Sequence, residues 1–302
     1  MAMPAIARFI GSRPTIEECD IVLVGVPYDS TASFRAGSRF GPREIRSYSD
    51  ETLEDFSFHS GRGLNEIAFY DMGDFPLMVG NPALMVQEVK KSALEIMVGN
   101  PEVMAVDARK TAYELTLTNR RLLALGGEHL ITYPLFLALK EIYPDFTILH
   151  LDAHADLREH YAGDRLSHSS VMRLCLEEGL TKLIQYGVRS GTREEYVSRK
   201  NDRRIVPAQS VEEITQSLDE GELLYLSLDL DFFDPSFVPG VGTPEAGGNT
   251  FEDYLDILRM LTAKKIHIIG ADIVELAPDI DHTKSSTAFA AKVVRETLLA
   301  MG

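Results

Sequence analysis

The chain has 302 residues, an apolar fraction of 45% and a formal charge of −16, and so much negative charge argues against nucleic acid and anionic membranes as partners. Cys19 and Cys175 form no CxxC pair, which makes disulfide staples unexpected and a reducing compartment the default. No apolar run is long enough to span a membrane, and Met1–Gly11 is too short and too mixed for a secretory segment, so a cytoplasmic protein is expected.

Eight short segments rich in Ile, Val and Leu, without helical period, read as buried strands. In chain order they lie near Asp20–Gly25, Glu66–Asp71, Arg121–Leu125, Phe146–Leu151, Lys182–Gly187, Arg203–Val206, Leu223–Asp229 and Lys265–Ala271. Amphipathic helical patterns separate most of them, among them Leu130–Ile142, Val211–Leu218 and Thr250–Leu261, and a last helix is expected over Lys284–Ala300. This alternation predicts an α/β fold with a mostly parallel sheet covered on both faces. No Pro/Gly/Ser-rich linker divides the chain, so a single domain over residues 1–302 is expected. Between the second and third strands, Val79-Gly80-Asn81-Pro82 recurs nineteen residues on as Val98-Gly99-Asn100-Pro101. Asn-Pro suits a helix start, and the repeat Val79–Met97 reads as a tandem duplication adding one surface or interface helix.

The residues that follow the strands carry the chemistry. Gly126-Gly127-Glu128-His129 follows the third strand, Asp152-Ala153-His154-Ala155-Asp156 closes the fourth, and Asp229 and Asp231 close the seventh. Asp272 and Glu275 are placed at the end of the eighth. Polar groups at every second position of an extended backbone share one face. Ligands of open α/β sheets bind outside the carboxyl ends of the strands, where these side chains can converge. Carboxylates and imidazoles this dense would repel and desolvate one another without a cation. Four aspartates with two histidines can balance two divalent ions, and a nitrogen and oxygen donor set without thiolate suits Mn²⁺ and similar ions. Two such ions roughly 3.5–4 Å apart can hold a water and lower its pKa toward neutrality.

These motifs give the chain a clear likeness. Gly126–His129, Asp152–Asp156, Ser167–Ser170, Ser227–Pro235, Pro239–Gly248, Asp272–Pro278 and Phe34–Arg46 together resemble the ureohydrolase (arginase/agmatinase) family, in the family's order and over nearly the whole chain. The wording is most similar to that of agmatinases. The resemblance implies a three-layer α/β/α arginase-like fold with a central eight-stranded sheet, a homo-oligomer (trimer or hexamer), and two Mn²⁺ per chain. It also implies hydrolysis of a small cationic guanidino substrate to urea and an amine, for an agmatinase agmatine to putrescine. Carried over by position, His129, Asp152, Asp156 and Asp229 would hold one ion, and His154, Asp152, Asp229 and Asp231 the other. Glu275 would accept hydrogen bonds from the guanidinium, His168 would shuttle a proton, and Thr243 would help orient the substrate.

Two positions depart from the family pattern. Glu128 replaces the usual Asp before the histidine, for which a longer indirect contact is expected, and Ser169 replaces the usual Gly or Ala after His168. Where arginases carry an asparagine that helps hold the amino-acid end of arginine, this chain has Leu166. Asp164, and Glu159 nearby, would repel a carboxylate and attract an ammonium, which favours agmatine. Arg165 opposes this if its guanidinium turns inward. Other guanidino compounds and a non-catalytic paralogue are the alternatives. His150, His59, His160, His267 and His282 have no motif role and are expected to be structural.

Overall fold

Ile21–Val26 (β1) is buried along its whole length, as a strand covered on both faces must be. Seven more strands join it: Phe69–Asp74 (β2), Arg121–Gly126 (β3), Thr147–Leu151 (β4), Lys182–Tyr186 (β5), Ile205–Ala208 (β6), Leu223–Asp229 (β7) and His267–Val274 (β8). The computed structural model describes residues 7–77, 79–98 and 120–302. The strands form one eight-stranded sheet in the order β2-β1-β3-β8-β7-β4-β5-β6, and every pairing is parallel. Phe56–Ser57 and Arg62–Gly63 make a separate small antiparallel hairpin.

Alternation along the strands divides the core in two. Leu123, Leu125, Leu149, Leu151, Leu224, Leu226 and Leu228 enter one cluster, joined by side chains of Phe251–Ala263 (α7) and Ser285–Met301 (α8). Val22, Val24, Leu122, Ala124 and Ile148 enter the other, with Pro82–Val98 (α2), Thr132–Ile142 (α3) and Val171–Glu177 (α4). Gly41–Glu51 (α1), Arg193–Asn201 (α5) and Val211–Ser217 (α6) are the remaining described α-helices. The result is the expected three-layer α/β/α architecture. Among the described residues no helix is long and apolar enough to cross a membrane.

Several boundaries differ from those expected. β2 begins at Phe69 because Leu64–Glu66 is spent on a short 3₁₀ turn, closed by the Glu66 carboxylate accepting from the Gly63 amide at 2.7 Å. β8 runs on to Val274, which places Asp272 inside the strand rather than beyond its end. The first copy of the duplicated stretch forms α2, whose Met85, Val89 and Ala93 are buried in the core and do not merely decorate the surface. The second copy, from Gly99 onward, lies outside the described residues.

Candidate metal centre and active site

β3, β8, β7 and β4 are neighbours at the middle of the sheet, so the segments leaving their carboxyl ends meet. The turn after β3 is set by backbone contact. Gly127 donates to Val26 O at 3.0 Å and accepts from the Glu275 amide at 2.9 Å, while Glu128 donates to Tyr28 O at 2.7 Å. A Cβ on Gly127 would stand 1.8 Å from the Tyr28 carbonyl oxygen, so only glycine allows the chain to pass there. That passage delivers His129, which is 1% exposed.

His129 meets carboxylates from three segments. Its Nδ1 lies 3.0 Å from Asp152 Oδ2, 3.2 Å from Asp156 Oδ2 and 3.3 Å from Asp229 Oδ2. Yet this buried nitrogen makes no hydrogen bond. His129 Nε2 donates to Ser227 Oγ at 2.8 Å, and Ser227 in turn donates to Asp272 Oδ1 at 2.9 Å, so Nδ1 is the ring nitrogen left to face the carboxylates. A point where one imidazole nitrogen and three carboxylates converge calls for a positive charge, a proton or a metal ion. A second cluster adjoins it: His154 Nδ1 lies 3.0 Å from Asp231 Oδ2 and 3.5 Å from Asp152 Oδ1. Asp152 belongs to both groups that could hold an ion. The donors are all nitrogen and oxygen, which fits divalent ions such as Mn²⁺ and gives no thiolate for a soft metal.

Ionisation shows the same demand for positive charge. Burial disfavours a charged His154, but Asp152 and Asp231 outweigh it and push the imidazole up to about 12. His129 is likewise held well above the ordinary value by Asp152, Asp156 and Asp229, against the cost of burial. Burial, with Asp231 and Asp152 adding repulsion, drives Asp229 well above the carboxylate range. Burial and then the charge of Glu128 push Glu275 up to about 8. Without a cation the cluster holds protons instead.

Two of these acids sit in strained backbone. Asp156 has φ 53° and Glu275 has φ 69°, the left-handed region that a residue with Cβ enters only at a cost. Both therefore owe their placement to the surrounding contacts. Glu275 Oε1 accepts from the His129 amide at 2.8 Å, and among the described residues its Oε2 accepts nothing.

A pocket of about 170 Å³ opens over the clusters, and His129, His154, Asp156, His168, Asp229, Thr243 and Glu275 line it together with Arg158 and Tyr161. Thr243 Oγ1 donates to Asp231 Oδ2 at 3.4 Å. Its loop is held down by Arg189, which donates to Asp231 O at 2.7 Å and Glu245 O at 2.8 Å. Tyr161 meets His168 edge-on at 5.5 Å. Arg158 lies 3.5 Å from Glu195 and over the Tyr161 ring at 5.3 Å. Asp164 is exposed, pairs with the Tyr161 backbone and accepts the Leu166 amide at 2.9 Å, and it is not among the residues that line the pocket. Arg165 is paired with Glu177 of α4 and does not turn into the pocket.

The sequence reading passed over the layer behind these side chains. His150 is fully buried and its Nε2 donates to Asp152 Oδ2 at 2.8 Å, while Gln185 donates to its Nδ1 at 3.0 Å. It is a satisfied core histidine, but what satisfies it is an aspartate of the metal cluster. The signal was its spacing of two from Asp152, which puts both on one face of β4. Thr31, which donates to Glu128 and lies 3.2 Å from His168 Nδ1, was missed as a partner, as were Ser227 and Asp272, because their contacts join segments distant in sequence.

The comparisons with known proteins agree with one another. The Arginase family profile matches residues 19–300. An agmatinase of Bacillus anthracis is 38% identical over 96% of this chain and 95% of its own length. A guanidinobutyrase of Pseudomonas aeruginosa is 31% identical over 96% of this chain and 88% of its own. The crystal structure of the agmatine ureohydrolase of Thermoplasma volcanium superposes with a TM-score of 0.79 at 26% identity, covering 99% of this chain and 95% of that one.

Proposed function

The chain belongs to the arginase family, and on that premise we propose that it hydrolyses the guanidino group of agmatine to urea and putrescine at a binuclear manganese centre. The observation that carries the reading is the buried His129 Nδ1, which makes no hydrogen bond and lies within 3.3 Å of the carboxylates of Asp152, Asp156 and Asp229. His129, Asp152, Asp156 and Asp229 would hold one ion, and His154, Asp152, Asp229 and Asp231 the other, with Asp152 and Asp229 shared. When bound, two divalent ions supply a water of lowered pKa and charge to offset the developing negative charge.

The chain's own side chains do the rest. Glu275 Oε2 is the acceptor for the guanidinium N–H groups, since Oε1 is already held by the His129 amide. Burial pushes the His168 imidazole below its ordinary value, so it stands neutral at neutral pH and can take a proton and pass it to the leaving amine. Thr243 orients the bound cation beside Asp231. The pairing of Arg165 with Glu177 removes one cation that could have met a carboxylate tail. Asp164, exposed beside Tyr161, supplies negative charge suited to an ammonium near the pocket, whereas Glu159 lies 3.8 Å from His160 and 4.0 Å from Arg173.

A second reading rests on Arg158. Among the described residues it is the one Lys or Arg side chain that lines the pocket, and a guanidino acid such as guanidinobutyrate could pair with it. Glu195 already neutralises it in part, which favours agmatine. Urea release from agmatine, guanidinobutyrate and arginine decides between these. The proposal expects the highest kcat/KM with agmatine, and a higher value with guanidinobutyrate would transfer the assignment to the guanidino acid.

A further inference from the structure

Thr31 lies on the loop after β1, outside every motif from which the reaction was read. Its amide donates to Glu128 Oε2 at 2.8 Å and its hydroxyl to Glu128 Oε1 at 2.7 Å. The same hydroxyl oxygen lies 3.2 Å from His168 Nδ1 and accepts from the His168 backbone amide at 3.1 Å. A hydroxyl has one proton to give. With that proton directed to the buried carboxylate, Thr31 Oγ1 can only accept from the imidazole, so Nδ1 must carry the ring proton. Nε2 is then left with a lone pair, and it makes no hydrogen bond within the protein among the described residues.

We propose that Thr31 is a positioning residue that couples Glu128 to His168 and fixes the Nδ1–H tautomer, leaving Nε2 as the proton acceptor of the pocket. This rests on the reading of His168 as the proton carrier. In the step itself Nε2 takes a proton given up by the attacking water, the ring becomes an imidazolium with both nitrogens as donors, and Nε2 then passes that proton to the leaving amine. The Nδ1–H bond to Thr31 is kept throughout, so nothing has to rearrange between the two transfers. The arrangement also accounts for Glu128 where the family has Asp. The extra methylene lets a carboxylate leaving the turn after β3 reach both the amide and the hydroxyl of a loop that follows β1.

The test uses the manganese-loaded full chain with agmatine. Thr31→Val keeps the shape and the backbone bond to Glu128 but removes the hydroxyl, whereas Thr31→Ser keeps the hydroxyl. Thr31→Val is expected to lower kcat on the order of 10-fold or more, and by no more than His168→Ala does, with KM and metal content unchanged. Thr31→Ser is expected to restore most of the rate. In a His168→Ala background, Thr31→Val is expected to cost nothing further, because both changes remove the same function. A wild-type kcat in Thr31→Val beside a slow His168→Ala would overturn the coupling alone. An equal loss in the His168→Ala background would also overturn it, by showing that Thr31 acts elsewhere. A wild-type rate in His168→Ala would instead overturn the proton-carrier reading. A direct readout needs no Thr31 variant: ¹⁵N spectra of the wild-type chain loaded with a diamagnetic divalent ion should show His168 as the Nδ1–H form, and a dominant Nε2–H form contradicts the proposal.

Discussion

At the scale of single residues, the cluster behaves as a trap for positive charge. His129 and His154 are pulled above the ordinary imidazole value, so in the metal-free chain they hold protons at neutral pH. A divalent ion must displace those protons to reach the lone pairs. Metal affinity should therefore rise with pH through the neutral range, and binding should release protons. Calorimetry in buffers of different ionisation enthalpy measures the number released, and pH-independent binding without release would contradict the assignment of these rings as ligands. The groups behind the ligands matter to the same equilibrium. Ser227→Ala would leave both His129 Nε2 and the buried Asp272 short of a partner, and His150→Ala would free Asp152 Oδ2. Each is expected to weaken metal binding about 10–100-fold with the fold intact, as for other outer partners of metal ligands, and a metal titration checks it. His168→Ala, by contrast, should lose about 10²–10⁴-fold in turnover at full metal content, because His168 touches neither ion in this account.

At the scale of elements, the strands were legible because they carry short apolar runs without helical period, and their ends were legible only where nothing interrupts the run. Asp272 looked like a strand end because a charge inside a buried strand is rarely tolerated. It is tolerated in β8 because Thr132, Tyr225 and Ser227 all donate to it, and no local pattern announces donors from two other segments, α3 and β7. The duplicated phrase marked α2 correctly as a helix, but its burial depends on what the sheet places beneath it, which sequence spacing does not state. The start of α8 gives a test at this scale. Asp281 accepts from the amide and hydroxyl of Ser286 and from those of Thr283. Against an opposing effect of burial, these bonds hold its carboxyl at about 2, below the ordinary value. The sign follows: the unfolded chain takes up the proton first, so this contribution is intact above the ordinary carboxylate pKa and is lost as pH falls through about 2. Asp281→Ala should cost about 0.5–2 kcal/mol at neutral pH, as the loss of a helix-start acceptor does. Thermal unfolding at pH 7 and near pH 2 measures it, and an equal deficit at both would show that the carboxylate charge contributes nothing.

At the scale of the whole molecule, the fold's contribution is to make β3, β8, β7 and β4 adjacent, so that residues scattered from Ser33 to Glu275 share one pocket. The acids and imidazoles of that pocket could be picked out in the sequence because they crowd strand ends at a spacing of two. The tail end of the pocket could not, since Arg158, Tyr161 and Glu195 meet through loops and a helix that carry no such periodicity. A preference for agmatine over arginine is the prediction at this scale. A buried carboxylate without a partner costs several kcal/mol, enough for a preference on the order of 10²-fold or more, and Arg165 is engaged with Glu177. Comparable kcat/KM values for the two substrates would show that Arg158 or another group receives the carboxylate.

The most direct measurement of the central claim is urea release from agmatine by the purified chain, followed through removal and return of Mn²⁺. The account predicts urea and putrescine in equal amounts, no urea after chelation, and recovery when two equivalents of Mn²⁺ are restored. A fully loaded chain that releases no urea from agmatine or any other guanidino compound would contradict it.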